Sequence, residues 1–217
     1  MQAAKRTPRT ALRSSDGLAA DGRVRRSQRS DQAIVAAMLE LVGEGVLDPT
    51  AQQVADRARV GLRTVFRRFS DMESLFAELD ARLQTAAVPL LIGGRPQGTL
   101  TNRAGELVRQ RVAFFEHIGP YKRAANVKRW RSPFLSSNHA RFVRVQRSEL
   151  LRWMPELGRA PTALVDAVEL ATSFEAWDRL RGEQGLSRAR AQAAIERAVL
   201  ALIGDLRGSS KGGSHVA

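Results

Sequence analysis

The chain has 217 residues, of which 43% are hydrophobic, a composition that supports a folded core. No run of about 18 apolar residues is present, which excludes a membrane-spanning helix, and the N-terminus lacks the apolar segment of a signal peptide. Because there is no cysteine, disulfides, thiolate zinc sites and cysteine nucleophiles are excluded as well. These features predict a cytoplasmic protein with no membrane partner.

The formal net charge is +13, and 31 of the 35 basic residues are arginine. The planar arginine side chain carries several hydrogen-bond donors that match phosphates and guanine edges. The charge therefore indicates nucleic acid or another anionic surface as a partner. A coding bias towards arginine, without functional meaning, is the alternative.

The two ends of the chain differ in composition from the rest. Residues 1–29 are basic and nearly free of large apolar side chains, which predicts a disordered arm. Such an arm either lies along DNA or is a solvated tail with no defined role. Residues 208–217 are rich in glycine and serine and predict a flexible tail outside the fold.

Between these ends the apolar residues recur at helical spacing, so we predict an all-α protein. A first helix carries Ile34, Met38 and Leu41 on one face, and a later one begins near Met72. Glycine and proline residues, such as Gly119–Pro120, mark the expected breaks. Further helices are predicted over residues 102–118, 120–131, 138–154, 161–181 and 188–206.

Residues 30–76 contain the most specific pattern, two short helices joined by a tight turn. Thr50 opens T-A-Q-Q, a capping box that predicts a helix beginning at Ala51. Gly61 lies in the turn and is expected to cap the next helix. A second capping box is predicted at Ser70-Asp71-Met72-Glu73, where a longer helix would begin.

The second short helix, LRTVFRRF, is predicted to be apolar on one side and basic on the other. The residues spaced to face a core are Leu62, Val65, Phe66 and Phe69. The residues on the opposite side are Arg63, Thr64, Arg67 and Arg68. Such a pair of helices is typical of a helix-turn-helix, whose second helix enters the DNA major groove. An ordinary helical hairpin with a charged outer face is the alternative.

From Asp31 to Leu79 the sequence also resembles the N-terminal domain of TetR-type (tetracycline-repressor-type) transcriptional regulators. The family pattern is T-x-x-x-[IV]-A, then A-G-V-S-x-G-T-[LV]-Y-x-[HY]-F, then x-[SD]-[KM]-E-x-L. The residues that match it in register are Thr50, Val54, Ala55, Ala58, Val60, Thr64, Val65, Phe66, Phe69, Glu73 and Leu75. The resemblance implies a homodimer that binds a palindromic double-stranded DNA operator and is released by a small effector.

Several residues depart from the family pattern. Arg59 stands in place of the turn glycine, Gly61 in place of a capping serine or threonine, and Arg63 in place of a glycine near the bases. Phe66 replaces a tyrosine whose hydroxyl reaches phosphate, and Arg68 replaces a histidine. Arg63 is expected to read a guanine, and Arg68 to supply a phosphate contact. The DNA-binding residues predicted in this way are Thr50, Gly61, Arg63, Thr64, Phe66, Arg67 and Arg68.

Residues 77–207 are predicted to form a helical ligand-binding and dimerisation domain, as the resemblance implies. Apolar residues on two sides of the late helices predict that these helices also pack against a second copy of the chain. The predicted interface residues are Leu164, Val168, Ala171, Ile195, Val199 and Leu202. A wholly intramolecular core is the alternative.

Aromatic residues concentrate in the same half and predict an apolar pocket for a small, largely apolar effector. The predicted lining residues are Phe114, Phe115, His117, Tyr121, Trp130, Phe134, Phe142, Phe174 and Trp177. Core packing is the alternative for each of them, and His139 is a further candidate for the pocket. The basic runs KRAANVKRWR and RFVRVQR are interpreted as solvated faces, unless an arginine turns inward to pair with an acidic ligand.

No pattern favours an enzyme, a metal site or a cofactor. The sequence has no G-x-S-x-G, no H-E-x-x-H and no Cys/His cluster, and the loop at residues 93–99 lacks the lysine of a phosphate-binding loop. We therefore predict a TetR-type regulator that acts as a repressor. A basic helical nucleic-acid-binding protein without ligand control is the alternative.

Overall fold

The computed structural model describes residues 15–204 and residue 206. Within this part of the chain there are nine α-helices and no strand, which confirms the all-α prediction. The helices are α1 Ser15–Gly43, α2 Ala51–Ala58, α3 Leu62–Arg68, α4 Met72–Ile92, α5 Leu100–Lys128, α6 Pro133–Trp153, α7 Thr162–Ala171, α8 Phe174–Asp178 and α9 Arg188–Leu202. None of these helices has the length and hydropathy needed to cross a bilayer.

The first helix begins earlier than the composition indicates. The prediction of a disordered arm is wrong from residue 15 onward, because α1 begins at Ser15. The buried residues Ile34 and Met38 anchor this helix in a core, and each residue added to an existing helix gains a backbone hydrogen bond. Residues 1–14 and the predicted tail at residues 208–217 lie outside the described residues.

The predicted break at Gly119–Pro120 is wrong, since α5 runs through both residues. An interior proline removes one helical hydrogen bond. Burial of Ile118, Tyr121 and Ala124 on both sides of the proline holds the helix together.

Other helix boundaries also differ from the prediction. The sixth helix begins at Pro133, where Ser132 Oγ accepts a hydrogen bond from Leu135 N at 3.0 Å. The predicted helix over residues 161–181 is interrupted after Ala171. There Thr172 Oγ1 donates to Val168 O, and Ser173 Oγ accepts from Ala176 N. Hydroxyl side chains satisfy the backbone locally in this way and end one helix before the next begins.

The apolar side chains form two cores. The first is built mainly from α1, α2 and α4, and it also receives Tyr121 and Ala124 from α5 and Leu135 from α6. The second joins the end of α4 to α5, α6 and the helices from α7 to α9. The packing boundary therefore does not coincide with the domain boundary predicted between residues 76 and 77, because α5 and α6 contribute to both cores.

A buried arginine links the helices of the second core. Arg111 Nη1 donates to Thr172 O at 2.8 Å, and Arg111 Nη2 donates to Gln146 O at 2.6 Å. Burial lowers the pKa of Arg111 to about 10. A carbonyl oxygen of α6 and one directly after α7 thus bind the buried guanidinium and fix α5 against its neighbours.

Candidate nucleic-acid interface and ligand cavity

The start of α2 confirms the first predicted capping box. Thr50 Oγ1 accepts a hydrogen bond from Gln53 N at 3.2 Å, and Thr50 N donates to Gln53 Oε1 at 2.9 Å. The helix begins at Ala51, and Val54 and Ala55 are buried in the first core.

The turn between α2 and α3 is short and contains a strained residue. Arg59 ends α2 in the left-handed conformation, with φ 55° and ψ 42°. Its amide still reaches back to Asp56 O at 3.2 Å. Gly61 is the N-cap of α3, as predicted, and its carbonyl accepts from Thr64 N at 2.7 Å. Arginine therefore occupies a backbone position that favours glycine.

The predicted apolar side of α3 is only partly buried. Val65 is buried and Phe69 is half-buried, whereas Leu62 is 37% exposed and Phe66 is 51% exposed. The inward placement predicted for Leu62 and Phe66 is therefore wrong. Because α3 has only seven residues and packs on one side, a single turn of it reaches the core.

The three arginines of α3 do not share one environment. Arg63 and Arg67 are exposed, and neither has an ion-pair partner among the described residues. Arg68 is half-buried and pairs through Nε and Nη2 with both carboxylate oxygens of Asp31 on α1. This pairing raises the pKa of Arg68, chiefly through the hydrogen bond to Asp31. Arg68 thus faces α1 instead of the open side predicted for it.

The second capping box lies one residue later than predicted. Asp71, not Ser70, caps α4, and its Oδ1 accepts from Ser74 N at 2.7 Å. Glu73 is therefore free to reach α6, where its carboxylate accepts hydrogen bonds from Ser132 Oγ and Phe134 N. These bonds tie the segment directly after α3 to the start of α6.

A cavity of about 310 Å³ lies between α4, α5 and α6, where the two cores meet. This volume is near the lower end of the roughly 300–1,000 Å³ range of small-molecule sites. Three of the predicted aromatic residues, Phe114, Tyr121 and Phe142, line it. The apolar residues that line it from α4 are Leu83, Ala87, Val88, Leu91 and Ile92.

The other six residues predicted for the pocket lie elsewhere. Phe115, Phe174 and Trp177 are buried in the second core, because close packing against one another fills the space around them. Phe134 packs against the first core. His117 is exposed, and Trp130 is 73% exposed with the guanidinium of Arg131 over its ring.

One end of the cavity is polar and was not predicted. The carboxylate of Asp80 accepts hydrogen bonds from Asn138 Nδ2 at 2.7 Å and from Tyr121 Oη at 3.3 Å. Gln84 and Arg141 contact its other oxygen. Burial raises the pKa of the Tyr121 hydroxyl, and the neighbouring Asp80 charge adds to that shift.

Lys122 lies beside this polar end and is only 6% exposed. Its Nζ is 2.8 Å from His139 Nδ1 and 4.2 Å from the centroid of the Phe142 ring. Burial lowers the pKa of Lys122 to about 8, and burial together with the charge of Lys122 lowers that of His139. The interpretation of residues 122–131 as a solvated face is wrong for Lys122. The sequence signal that could have predicted the burial of Lys122 is its helical spacing relative to the apolar residues Ile118 and Tyr121.

A second cavity, of about 520 Å³, lies between the start of α5 and α9. Charged and polar residues such as Arg95, Arg109 and Glu196 contribute to its lining, and Trp153 forms part of its wall. None of the residues predicted for the effector pocket lines this cavity.

The predicted dimer residues are largely inside the protomer. Val168, Ile195 and Val199 are buried in the second core, and Leu164, Ala171 and Leu202 are half-buried against it. Their assignment to an intersubunit surface is therefore wrong for the three buried residues, since α7 and α9 pack against each other, α9 also packs against α5, and α7 also packs against α6. The large apolar residue that α7 leaves exposed is Leu170, at 67%.

No protein-family model matches the chain, and no curated protein matches it either.

Proposed function

We propose that the protein is a TetR-type transcriptional repressor that binds operator DNA as a homodimer and is released by a small effector. One observation carries the DNA-binding part. The α2–turn–α3 unit leaves Arg63 and Arg67 exposed on one helix face, without ion-pair partners among the described residues. Free guanidinium groups on a short exposed helix are suited to guanine edges in a major groove.

Other residues of the same unit have separate roles in this proposal. Phe66 is exposed beside the arginines, and an apolar ring there is suited to a thymine methyl group. The roles of Thr50, Gly61 and Arg68 are structural: two cap helices, and the third holds α3 against α1. Thr64 is half-buried beside Arg63 and can contact phosphate.

A homodimer would present two copies of α3 to the two half-sites of a palindrome, about 34 Å apart or somewhat more. We assign the dimer contact to the outer face of α7, where Leu170 is a large apolar side chain left mostly exposed.

Effector control is supported by the position of the cavity. The helix that follows α3 directly, α4, supplies one wall of the cavity along its second half. Glu73 at the start of α4 is also bonded to the start of α6, which supplies another wall. A ligand that favours a different spacing of α4 and α6 would move α3. A tenfold loss of operator affinity needs about 1.4 kcal/mol of coupling.

The test is selection of bound duplexes from a random-sequence library, followed by titration of the selected duplex. Arg63→Ala and Arg67→Ala are each expected to lose roughly 1–3 kcal/mol of binding and to relax the sequence preference at one position. Arg144→Ala is the matched control, since Arg144 is equally exposed but lies on α6. If no sequence is enriched and all three variants weaken binding alike, the protein is a basic nucleic-acid-binding protein without an operator.

A further inference from the structure

The ammonium group of Lys122 is buried without a carboxylate partner. It is 6% exposed, and its Nζ contacts the imidazole of His139 and the ring of Phe142. No ion pair joins it to an aspartate or glutamate among the described residues. A buried cation of this kind is costly unless an anion compensates it.

The charges of Glu175 and Asp80 act on Lys122, but neither carboxylate forms an ion pair with it, and Glu175 does not line the cavity. Asp80 is the carboxylate among the lining residues, and four side chains already occupy its oxygens: Tyr121, Gln84, Asn138 and Arg141. Arg129 also lines the cavity and has no ion pair among the described residues. The cavity wall therefore carries more positive than negative charge.

The rest of the wall is suited to an apolar body. Leu83, Leu91, Phe114 and Ile118 contribute apolar side chains to the lining. His139 adds a hydrogen-bond donor to the lining. Because its Nδ1 accepts from the Lys122 ammonium, the ring proton is on Nε2.

We propose that the effector is an amphiphilic organic acid, whose carboxylate pairs with Lys122 and whose apolar body fills the cavity between α4, α5 and α6. This inference rests on the proposed function only in naming the occupant an effector. The charge-assisted bond to Lys122 fixes the orientation of the acid, and the aromatic and aliphatic wall selects its size.

The experiment measures direct binding to the full-length protein by calorimetry, without DNA. The probes are straight-chain and phenyl-substituted carboxylic acids of roughly six to twelve carbons, each paired with its neutral primary amide. We expect the best acid to bind about tenfold or more tightly than its own amide. None of the three tryptophans lines this cavity, so calorimetry is preferable to intrinsic fluorescence.

Two lysine variants test whether the preference for the acid over its amide depends on Lys122. Lys122→Met removes the ammonium while keeping the apolar stem, and it should abolish the preference for the acid while leaving amide binding within about twofold. Lys128→Met is the matched control, because it makes the same charge change at the end of the same helix, where Lys128 pairs with Asp48 outside the cavity. The control should keep the full preference for the acid. Circular dichroism verifies that both variants are folded.

Three outcomes would overturn the inference: amides that bind as tightly as their acids, no binding by any acid of the series, or a preference that survives Lys122→Met. Each of these is independent of operator binding. An acid that binds through Lys122 but leaves operator affinity unchanged would support the site and contradict effector control.

Discussion

Arg68, the last residue of α3, is held by both carboxylate oxygens of Asp31 on α1. The two side chains are 28% and 29% exposed, so solvent screens the pair only in part. The pair connects the short exposed helix α3 to α1, which contributes to the first core. It therefore orients Arg63 and Arg67 without occupying the face that carries them.

Breaking this pair should loosen α3. Arg68→Ala and Asp31→Ala are each expected to lower the free energy of unfolding by about 1 kcal/mol and to weaken DNA binding. The double variant should lose little more than either single variant, because both remove the same interaction. Denaturant unfolding and DNA titration measure the two effects. If Asp31→Ala strengthens DNA binding while Arg68→Ala weakens it, Arg68 contacts phosphate directly.

Replacing Arg59, the left-handed residue of the turn, by glycine should stabilise the protein. Arg59→Gly is expected to raise the free energy of unfolding by about 1 kcal/mol, since φ is 55° and glycine has no Cβ to strain there. Arg59→Ala removes the same charge but retains the Cβ, so it should give no gain. Equal stabilisation in the two variants would assign the effect to charge and contradict the backbone explanation.

Substitutions at two residues of α7 distinguish a loss of folding from a loss of dimerisation. Val168 is fully buried, so Val168→Glu should unfold the protein by placing an unpaired charge in the second core. Leu170→Glu adds the same charge at an exposed position, and it should keep the fold while producing a monomer that binds DNA weakly. Circular dichroism and sedimentation distinguish these outcomes. A folded Leu170→Glu protein that remains dimeric would place the interface on another face.

Lys122 should make the free energy of unfolding increase with pH in the alkaline range. Its pKa is about 8 in the folded chain and 10.5 as the reference value, so the unfolded chain binds more protons between these values. The penalty for burying the charge is complete below about pH 8 and disappears as the pH rises to about 10.5. Relative to Lys122→Met, the parent protein should therefore gain up to about 3 kcal/mol across this window.

The other charged and titratable groups around Lys122 do not reverse this increase in stability with pH. The other charged groups near it are Asp80 of α4, Glu175 of α8, Arg129 and Arg141. His139 of α6 has a lowered pKa and stays neutral, and the pKa of Tyr121 is raised out of the window. Denaturant unfolding of both proteins between about pH 7 and 10 is the measurement. Parallel profiles would show that the Lys122 ammonium is not destabilised by burial.

The helical class and the local starts of α2 and α3 follow from the amino-acid sequence alone. Thr50 with Gln53, and Gly61 before the helically spaced residues of α3, act through contacts within a few residues, so the pattern suffices. Spacing also identified the buried Val54, Val65 and Leu75. These features need no knowledge of which helix packs against which.

Which apolar and charged residues face a core, the cavity or solvent depends on how the helices pack together. Helical spacing alone does not distinguish the burial of Val168 from that of Leu170. Packing of α7 against the second core buries Val168 and leaves Leu170 exposed. Arg68 differs from Arg67 because Asp31, 37 residues earlier, approaches it from α1. Lys122 and Asp80 meet the cavity because α4 and α5 cross where the two cores join. Contacts between distant segments depend on how whole helices pack, which local periodicity does not encode.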